Sequence, residues 1–500
     1  MAAICIDAGT TVIKAVGYDD RGREAVVVRQ PAHVRHPRPG RVEQDMIQVR
    51  DTALRAVREV ADRLPGPVDF LAVTAQGDGC WLIDRHGAPT GPAVLWNDSR
   101  AAATVQRWSD SGLLAEAYRR NGCVTFPGLP NAILAWMRSH DPDRLASATA
   151  MLTCGGWLFA QLTGVVVMEE SDASAPFGSP HHPDRYDDHL LDLFDLEWAR
   201  PLLPPVAGDG RRVAPLRQTV AAELRLPAGT PVVAAPYDIA ATAIGVGAVR
   251  PGQACAILGT TLCTEVVTDR FAPGPEPLGL TVALGVPGRL LRALPTLAGT
   301  EVLTWACGML GLTGPSQLID LADHTRAGPS GLLFLPYLSP AGERAPFVAP
   351  QARGALLGLC LEHDREHLAR AVVEGLTLVI RDCLAASGVT PGELRICGGG
   401  AANDGWARLI ADIVGLPVRR CTDTEIGARG AYLVGRAATG AAATVAEAVA
   451  AYVHLGDPVE PDPALARRYD DLFARFVLLR QHAAGAWPEL AALREADGAA

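Results

Sequence analysis

Short unbroken apolar runs alternate along this chain with longer stretches in which apolar residues recur at helical spacing. Ile4-Cys5-Ile6, Phe70-Leu-Ala-Val-Thr74, Val232-Val-Ala-Ala235 and Ala256-Ile-Leu258 each end at an acidic residue or a turn, as strands buried on both faces do. Met46 to Leu64 places Val49, Ala53, Leu54, Val57 and Val60 on one face, which predicts an amphipathic helix. Pro130 opens a helix through Leu134, Trp136 and Met137, as a first-turn proline does. Trp157 to Leu162 reads as a helix closed by Gly164, and Asn403 to Val414 as one that follows a glycine run. Pro461 to Leu479 is amphipathic and predicts a tail helix packed on a second domain. Strand and helix patterns alternate throughout, so the fold class is α/β. Pro201 to Pro231, rich in proline, glycine and arginine, reads as a surface connection, and His181 to His189 as a solvated loop.

Two hairpins punctuate the pattern. Ile4-Cys5-Ile6-Asp7-Ala8-Gly9-Thr10-Thr11-Val12-Ile13-Lys14 runs strand, Gly-Thr-Thr turn, strand. Such a turn gathers backbone N–H groups and two hydroxyls at one spot, which suits a phosphate. Asp7 beside it can hold Mg²⁺ through water. Lys14 is the only lysine in the chain. Ala256-Ile257-Leu258-Gly259-Thr260-Thr261-Leu262-Cys263-Thr264 repeats the turn half a chain later, with Ile257 where the first copy has Asp7. The repeat predicts duplicated architecture, two like domains facing one another across a nucleotide. The boundary falls near Gly245-Val-Gly247, giving domains 1–246 and 247–500.

Five hundred residues allow two or more cores. A formal charge of −10 and the lack of a basic, aromatic-interleaved cluster argue against a nucleic-acid partner. Eleven scattered cysteines without a C-x-x-C pair read as reduced thiols of a cytoplasmic protein. The first strand begins at once, which leaves no room for a signal peptide. The longest apolar stretch, Val232 to Val249, is interrupted by Pro236 and Asp238, so no membrane span is expected. A homodimer is compatible with this composition.

Chemistry concentrates at three places. Asp238 follows the strand Val232–Ala235 and precedes a small-residue helix, so its carboxylate stands at a strand's carboxyl end, where α/β sheets bind ligands. It serves either as a helix cap or as the base that accepts a hydroxyl proton in phosphoryl transfer. Gln76-Gly-Asp78-Gly79 and Trp96-Asn97-Asp98 offer hydrogen bonds and an apolar face to a polyol. The same residues also suit a plain turn and a helix cap. Gly398-Gly399-Gly400 before a helix lets a flat base lie against the backbone, with Asn403 in reach, or simply makes a tight turn.

Asp7-x-Gly9-Thr10-x-x-x-Lys14 resembles the phosphate motif of the FGGY carbohydrate kinases, in the actin/hexokinase-like ATPase superfamily. Phe334 to Pro346 and Gly398 to Val418 resemble two further blocks of that family, with Arg408 where many members carry Gln. The resemblance runs from residue 4 to about 440. It implies two actin-like (ribonuclease H-like) α/β domains flanking an ATP/sugar cleft, with domain closure excluding water. It implies ATP and Mg²⁺ as cofactors, Asp238 as catalytic base and Asp7 on the metal. Thr10, Thr11, Lys14, Gly259 and Thr260 would hold phosphates, Gly399, Gly400 and Asn403 the nucleoside, and Gln76, Asp78, Trp96 and Asp98 the sugar. Within the family, Gln76-Gly-Asp78-Gly79-Cys-Trp81-Leu-Ile-Asp84 looks most like erythritol kinases, then L-xylulose kinases. Cys154-Gly155-Gly156-Trp157 departs from the former, which often carry a charged pair before that tryptophan. By the Gln76–Asp84 segment, the resemblance implies an erythritol-like polyol as the expected acceptor. The alternatives are a xylulose-type ketose kinase and a non-catalytic actin-like ATP-binding protein.

Overall fold

The computed structural model describes residues 1–208, 210–324 and 330–498. The chain divides into two units: 1–249 with 268–291 and 425–453, and 250–267 with 292–424 and 454–500.

The first unit is built on strands β1 (Ala2–Ala8), β2 (Val12–Tyr18), β3 (Glu24–Pro31), β4 (Val68–Ala75), β5 (Val213–Pro215) and β6 (Pro231–Ala234), in the order β5-β6-β4-β1-β2-β3. The hairpin β1–β2 sets Asp7 opposite Lys14, and β4 runs parallel to β1 with Thr74 beside Asp7. β6 lies parallel to β4, so β1, β4 and β6 end at one edge of the sheet. Their unbroken apolar sequence matches their burial on both faces. Ile4, Ile6, Leu71 and Val73 join the core of helix Met46–Arg63, which Asp45 caps by accepting from Gln48 N–H. The other face carries helix Ile426–Ala438, whose Tyr432 stacks on Tyr18 with ring centres 4.5 Å apart.

The second unit repeats the hairpin with β7 (Gln253–Leu258) and β8 (Leu262–Thr268). With β9 (Leu290–Pro295), β10 (Glu393–Cys397) and β11 (Val418–Arg420) they follow the order β9-β8-β7-β10-β11. β7 pairs in parallel with β10, as β1 does with β4. Helix Arg365–Ala386, capped by Asp364, buries most of its residues from Ala369 to Leu384.

The helices expected at Met46, Pro130, Trp157 and Asn403 form as Met46–Arg63, Pro130–His140, Cys154–Thr163 and Asp404–Val414. Two segments differ from expectation. Pro201 to Pro231 is not merely a connection, because it contains β5 and helix Gln218–Leu224. Leu216, Val220, Ala221 and Leu224 are buried there at helical spacing, a signal diluted by the flanking proline and arginine. His181 to His189 is not a plain loop either: His182–Tyr186 pairs with Gly178–Ser179, and Tyr186 anchors it in the core.

Candidate functional site

At the end of β1 the Asp7 carboxylate is buried, with Lys14 Nζ 3.3 Å away. The same ammonium lies 3.0 Å from Glu425, which also binds Arg29. Glu425 immediately precedes helix Ile426–Ala438, so the helix delivers both this acid and a positive dipole end to Asp7. Gly427 permits the approach: a Cβ there would stand 3.0 Å from Asp7 Oδ2. Burial pushes the Asp7 carboxyl up, Lys14 opposes this and Glu425 adds to it. Burial pulls the Lys14 ammonium down, but Asp7 and Glu425 outweigh it and hold the proton on.

Asp238 opens helix Asp238–Gly245, which follows β6. Its neighbours fix the turn. The Thr74 hydroxyl donates to Pro236 O at 2.6 Å, and Tyr237 N–H donates to the Ser171 hydroxyl at 3.0 Å. One Asp238 oxygen accepts from Ile239 N–H at 2.8 Å. The carboxyl sits in a recess, enclosed by protein yet partly open to solvent. Burial first, then the Asp7 and Asp78 charges, push its pKa up to about 7, against Ile239 N–H and Lys14. Two buried acids, Asp7 (raised by burial and by Glu425) and Asp238 (raised by burial and by Asp7), suit a divalent cation, which would relieve both. Mg²⁺ asks for few protein carboxylates because it keeps its waters. Asp7 therefore fits the expected metal role.

The loop after β4 places Asp78 in the left-handed region at φ 56°, a conformation Asp tolerates better than most residues. Gln76, however, is buried with both ends engaged. It accepts from the Thr10 hydroxyl at 2.8 Å and donates to Gln44 at 2.8 Å. Trp96 Nε1 donates to the same Thr10 oxygen at 3.0 Å, and Gln44 Nε2 donates to Thr10 O at 2.9 Å. Thr10 thus ties the hairpin to the loop, while Thr11 is exposed at the turn. Asp98 is likewise engaged inside the protein, by Val42 N–H at 2.7 Å and by Arg100. Gln76 and Asp98, both expected to meet a sugar, thus spend much of their hydrogen-bonding capacity inside the protein. The structure adds residues that patterning did not single out: Glu425, Gln44, Asp172 and Tyr237. Only Tyr237 carried a sequence cue, by adjoining Asp238.

The second unit holds a cavity of about 510 Å³ lined by Gly259, Thr260, Thr300, Gly399, Gly400, Asn403 and Trp406, among others. All five residues expected there to contact nucleotide therefore share one cavity. Apolar walls from Leu258, Leu303 and Ile319 suit a flat base. Helix Thr300–Leu310 points its N-terminus at the Gly-Thr-Thr turn, with Thr300 N–H donating to Gly259 O at 3.0 Å, a setting that favours phosphate. Gly299 makes this possible, because a Cβ there would stand 2.0 Å from Thr260 O. Asn403 caps the next helix by accepting from Trp406 N–H at 3.0 Å.

An acid at a strand end in the first unit and a glycine-lined cavity beside the repeated hairpin in the second are features that suit nucleotide-dependent group transfer, and comparison with known proteins gives the family. The model for the FGGY family of carbohydrate kinases matches through its N-terminal domain at residues 2–245 and its C-terminal domain at 254–439. The chain belongs to this family of kinases. It is 34% identical to the erythritol kinase of Brucella abortus (strain 2308), across 98% of this chain and 97% of that one. It is 29% identical to the L-xylulose/3-keto-L-gulonate kinase of Escherichia coli (strain K12), across 94% and 95%. The ligand-bound xylulose kinase of Lactobacillus acidophilus shares the fold, with a TM-score of 0.92 at 23% identity over 98% of this chain and 99% of that one. Two actin-like α/β domains are thus the architecture. Among the described residues no helix is long and apolar enough to cross a membrane.

Proposed function

We propose that the protein transfers the terminal phosphoryl group of ATP to a hydroxyl of a small neutral polyol, erythritol or a close analogue. The observation that carries this is Asp238, a recessed carboxyl with a pKa of about 7 at the end of β6, flanked by Asp7 and Asp78. A base works best with a pKa near the working pH, and Asp238 can take the acceptor's proton as the oxygen attacks phosphorus. Asp78 accepts hydrogen bonds from the polyol, and Trp96 packs on its carbon chain. Gln76 and Asp98 hold these walls, Asp98 through Arg100. Thr11, Lys14 and the backbone of the first turn, with Gly259 and Thr260 of the second, neutralise and orient phosphates. Gly399, Gly400 and Asn403 receive the nucleoside. Residues 1–246 would then carry the acceptor site and the first phosphate turn, and residues 247–500 the second turn and the nucleoside site. Mg²⁺-ATP supplies the phosphoryl group and offsets its charge, with Asp7 as the carboxylate on the metal side. Similarity to the Brucella relative over nearly the whole chain supports the tetritol.

ADP release measured across C3 to C6 polyols and ketoses tests the reading. Erythritol should give the highest kcat/KM. A preference for xylulose or L-xylulose would replace the polyol with a ketose. ATP binding without acceptor-dependent turnover would leave a non-catalytic nucleotide binder.

A further inference from the structure

Asp172 and Tyr237 are not used by the chemistry above, yet both lie beside it. Each is buried, and neither Asp172 Oδ1 nor the Tyr237 hydroxyl has a hydrogen-bond partner. Buried polar atoms without partners are rare and destabilising, and each such case needs a reason. A ligand that satisfies them is one.

Local structure brings the two together. Asp172 belongs to the short helix Glu170–Ser174, whose N-terminus Glu169 caps by accepting from Ser171 N–H. The Ser171 hydroxyl accepts from Tyr237 N–H, which couples that helix to the residue before Asp238. Tyr237 lies against the Gln76–Gly79 loop: a Cβ on Gly77 would stand 2.2 Å from its ring. Gly155 lies on another side, where a Cβ would meet Ala75 Cβ and Asp172 Oδ2 in ordinary van der Waals contact, both at 3.8 Å.

Charge follows the same geometry. Burial and then the acids Asp78, Asp238 and Asp172 hold the Tyr237 phenol neutral. Burial and then Glu169 raise the Asp172 carboxyl, Asp78 and Asp238 add to this, and Thr153 opposes it. Nearby cations are already engaged, Lys14 by Asp7 and Glu425, and Arg212 by Glu169 and Glu170.

We propose that Asp172 and Tyr237 are the specificity-determining end of the acceptor site, binding neighbouring hydroxyls of a neutral polyol through their unpartnered oxygens. With Asp78 and Asp238 they complete a carboxylate-lined pocket that rejects acceptors bearing a carboxylate or phosphate of their own. This rests on the kinase reading above and names the acceptor class it takes. Hydroxyl donors suit such a pocket, whereas a bound anion would face several acids, with Lys14 and Arg212 already paired.

The test compares the full-length protein with Asp172→Asn and Tyr237→Phe. Steady-state kinetics are run with erythritol and with gluconate, and melting temperature is read with and without erythritol. The unaltered protein should favour erythritol over gluconate by about 100-fold or more in kcat/KM. Each variant should raise the erythritol KM by about 10- to 100-fold and leave KM for ATP unchanged. Asp172→Asn should keep or raise the melting temperature of the ligand-free protein, because it removes a buried acid, while the erythritol-induced shift shrinks. Tyr237→Phe removes only the hydroxyl and serves if the first variant folds poorly. If the unaltered protein phosphorylates erythritol and both variants keep its KM and thermal shift, the two residues are structural and the proposal falls while the kinase reading stands. Equal use of gluconate and erythritol by the unaltered protein also overturns it. Absence of any acceptor-dependent turnover in the unaltered protein overturns both.

Discussion

At the scale of the residue, the decisive quantity is the protonation state of Asp238. Its proton is held by burial and by Asp7 and Asp78, so at pH 6 most of the ligand-free protein carries the acid form. The rate constant kcat/KM for the acceptor should therefore rise with pH through about 7, before any effect of bound metal. Asp238→Asn keeps the size and the contact to Ile239 but removes the base, and turnover should fall by ~10²–10⁴. Stability should move the other way. The pKa is raised on folding, so this group's contribution is intact below the unfolded value and lost as the pH climbs through about 7. The melting-temperature gain of Asp238→Asn over the unaltered protein should therefore grow between pH 5 and pH 8. A pH-independent difference would show that the carboxyl is not buried against other acids. Lys14 offers a second test, because it is the only lysine in the sequence and lysine-directed acylation reads its amine alone among side chains. Mg²⁺-ATP should slow Lys14 labelling, measured by peptide mass spectrometry, if the ammonium meets phosphate. Equal labelling with and without it would leave Lys14 as a strut between Asp7 and Glu425. Asp7, Lys14 and Asp238 were legible because strand, turn and charge lie together in the sequence. Glu425 was not, because it reaches Lys14 from more than four hundred residues away. For Gln76 and Asp98 the sequence shows hydrogen-bonding side chains but not the internal partners they hold, Thr10 and Gln44 for one, Val42 and Arg100 for the other.

At the scale of the element, hairpins and helix ends make the site. The Gly-Thr-Thr turns were readable as hairpins because apolar runs flank them. What the sequence could not show is that helix Thr300–Leu310 comes to rest against the second turn. That contact depends on Gly299, which nothing local distinguishes from the other glycines. Gly299→Ala forces a methyl group into Thr260 O, and overpacking of this kind costs about 1–3 kcal/mol. The helix should retreat, with the affinity for an ATP analogue falling by roughly tenfold or more on the same scale and KM for the polyol unchanged. Calorimetry with the analogue and steady-state kinetics read the two effects separately. If both change in parallel, the turn serves the stability of the whole unit and not the nucleotide.

At the scale of the whole molecule, duplication was visible in the two hairpins, and each indeed begins a sheet with the same parallel neighbour pattern. A linear reading cannot see the return of a distant segment to an earlier sheet. Residues 425–453 come back to the first unit, and helix Ile426–Ala438 supplies Glu425, Gly427 and the Tyr432 ring to its face. The return is tight: a Cβ on Gly430 would stand 1.8 Å from Ala241 O, in the helix that Asp238 opens. The helix is buried along nearly its whole length, as one enclosed by its own unit must be. A fragment ending at residue 246 would keep every strand of the first sheet and lose this helix. Tyr18, Phe70 and Ala241 would then face water, and Lys14 would lose one of its two acids. Such a fragment should show strong secondary structure by circular dichroism yet no sharp thermal transition, and it should bind no polyol. Fusing 425–453 to it through a flexible linker should restore a cooperative transition. If the 1–246 fragment melts cooperatively without the added segment, the returning helix is an accessory to the acceptor unit, and Asp7 and Asp238 are positioned by the sheet alone.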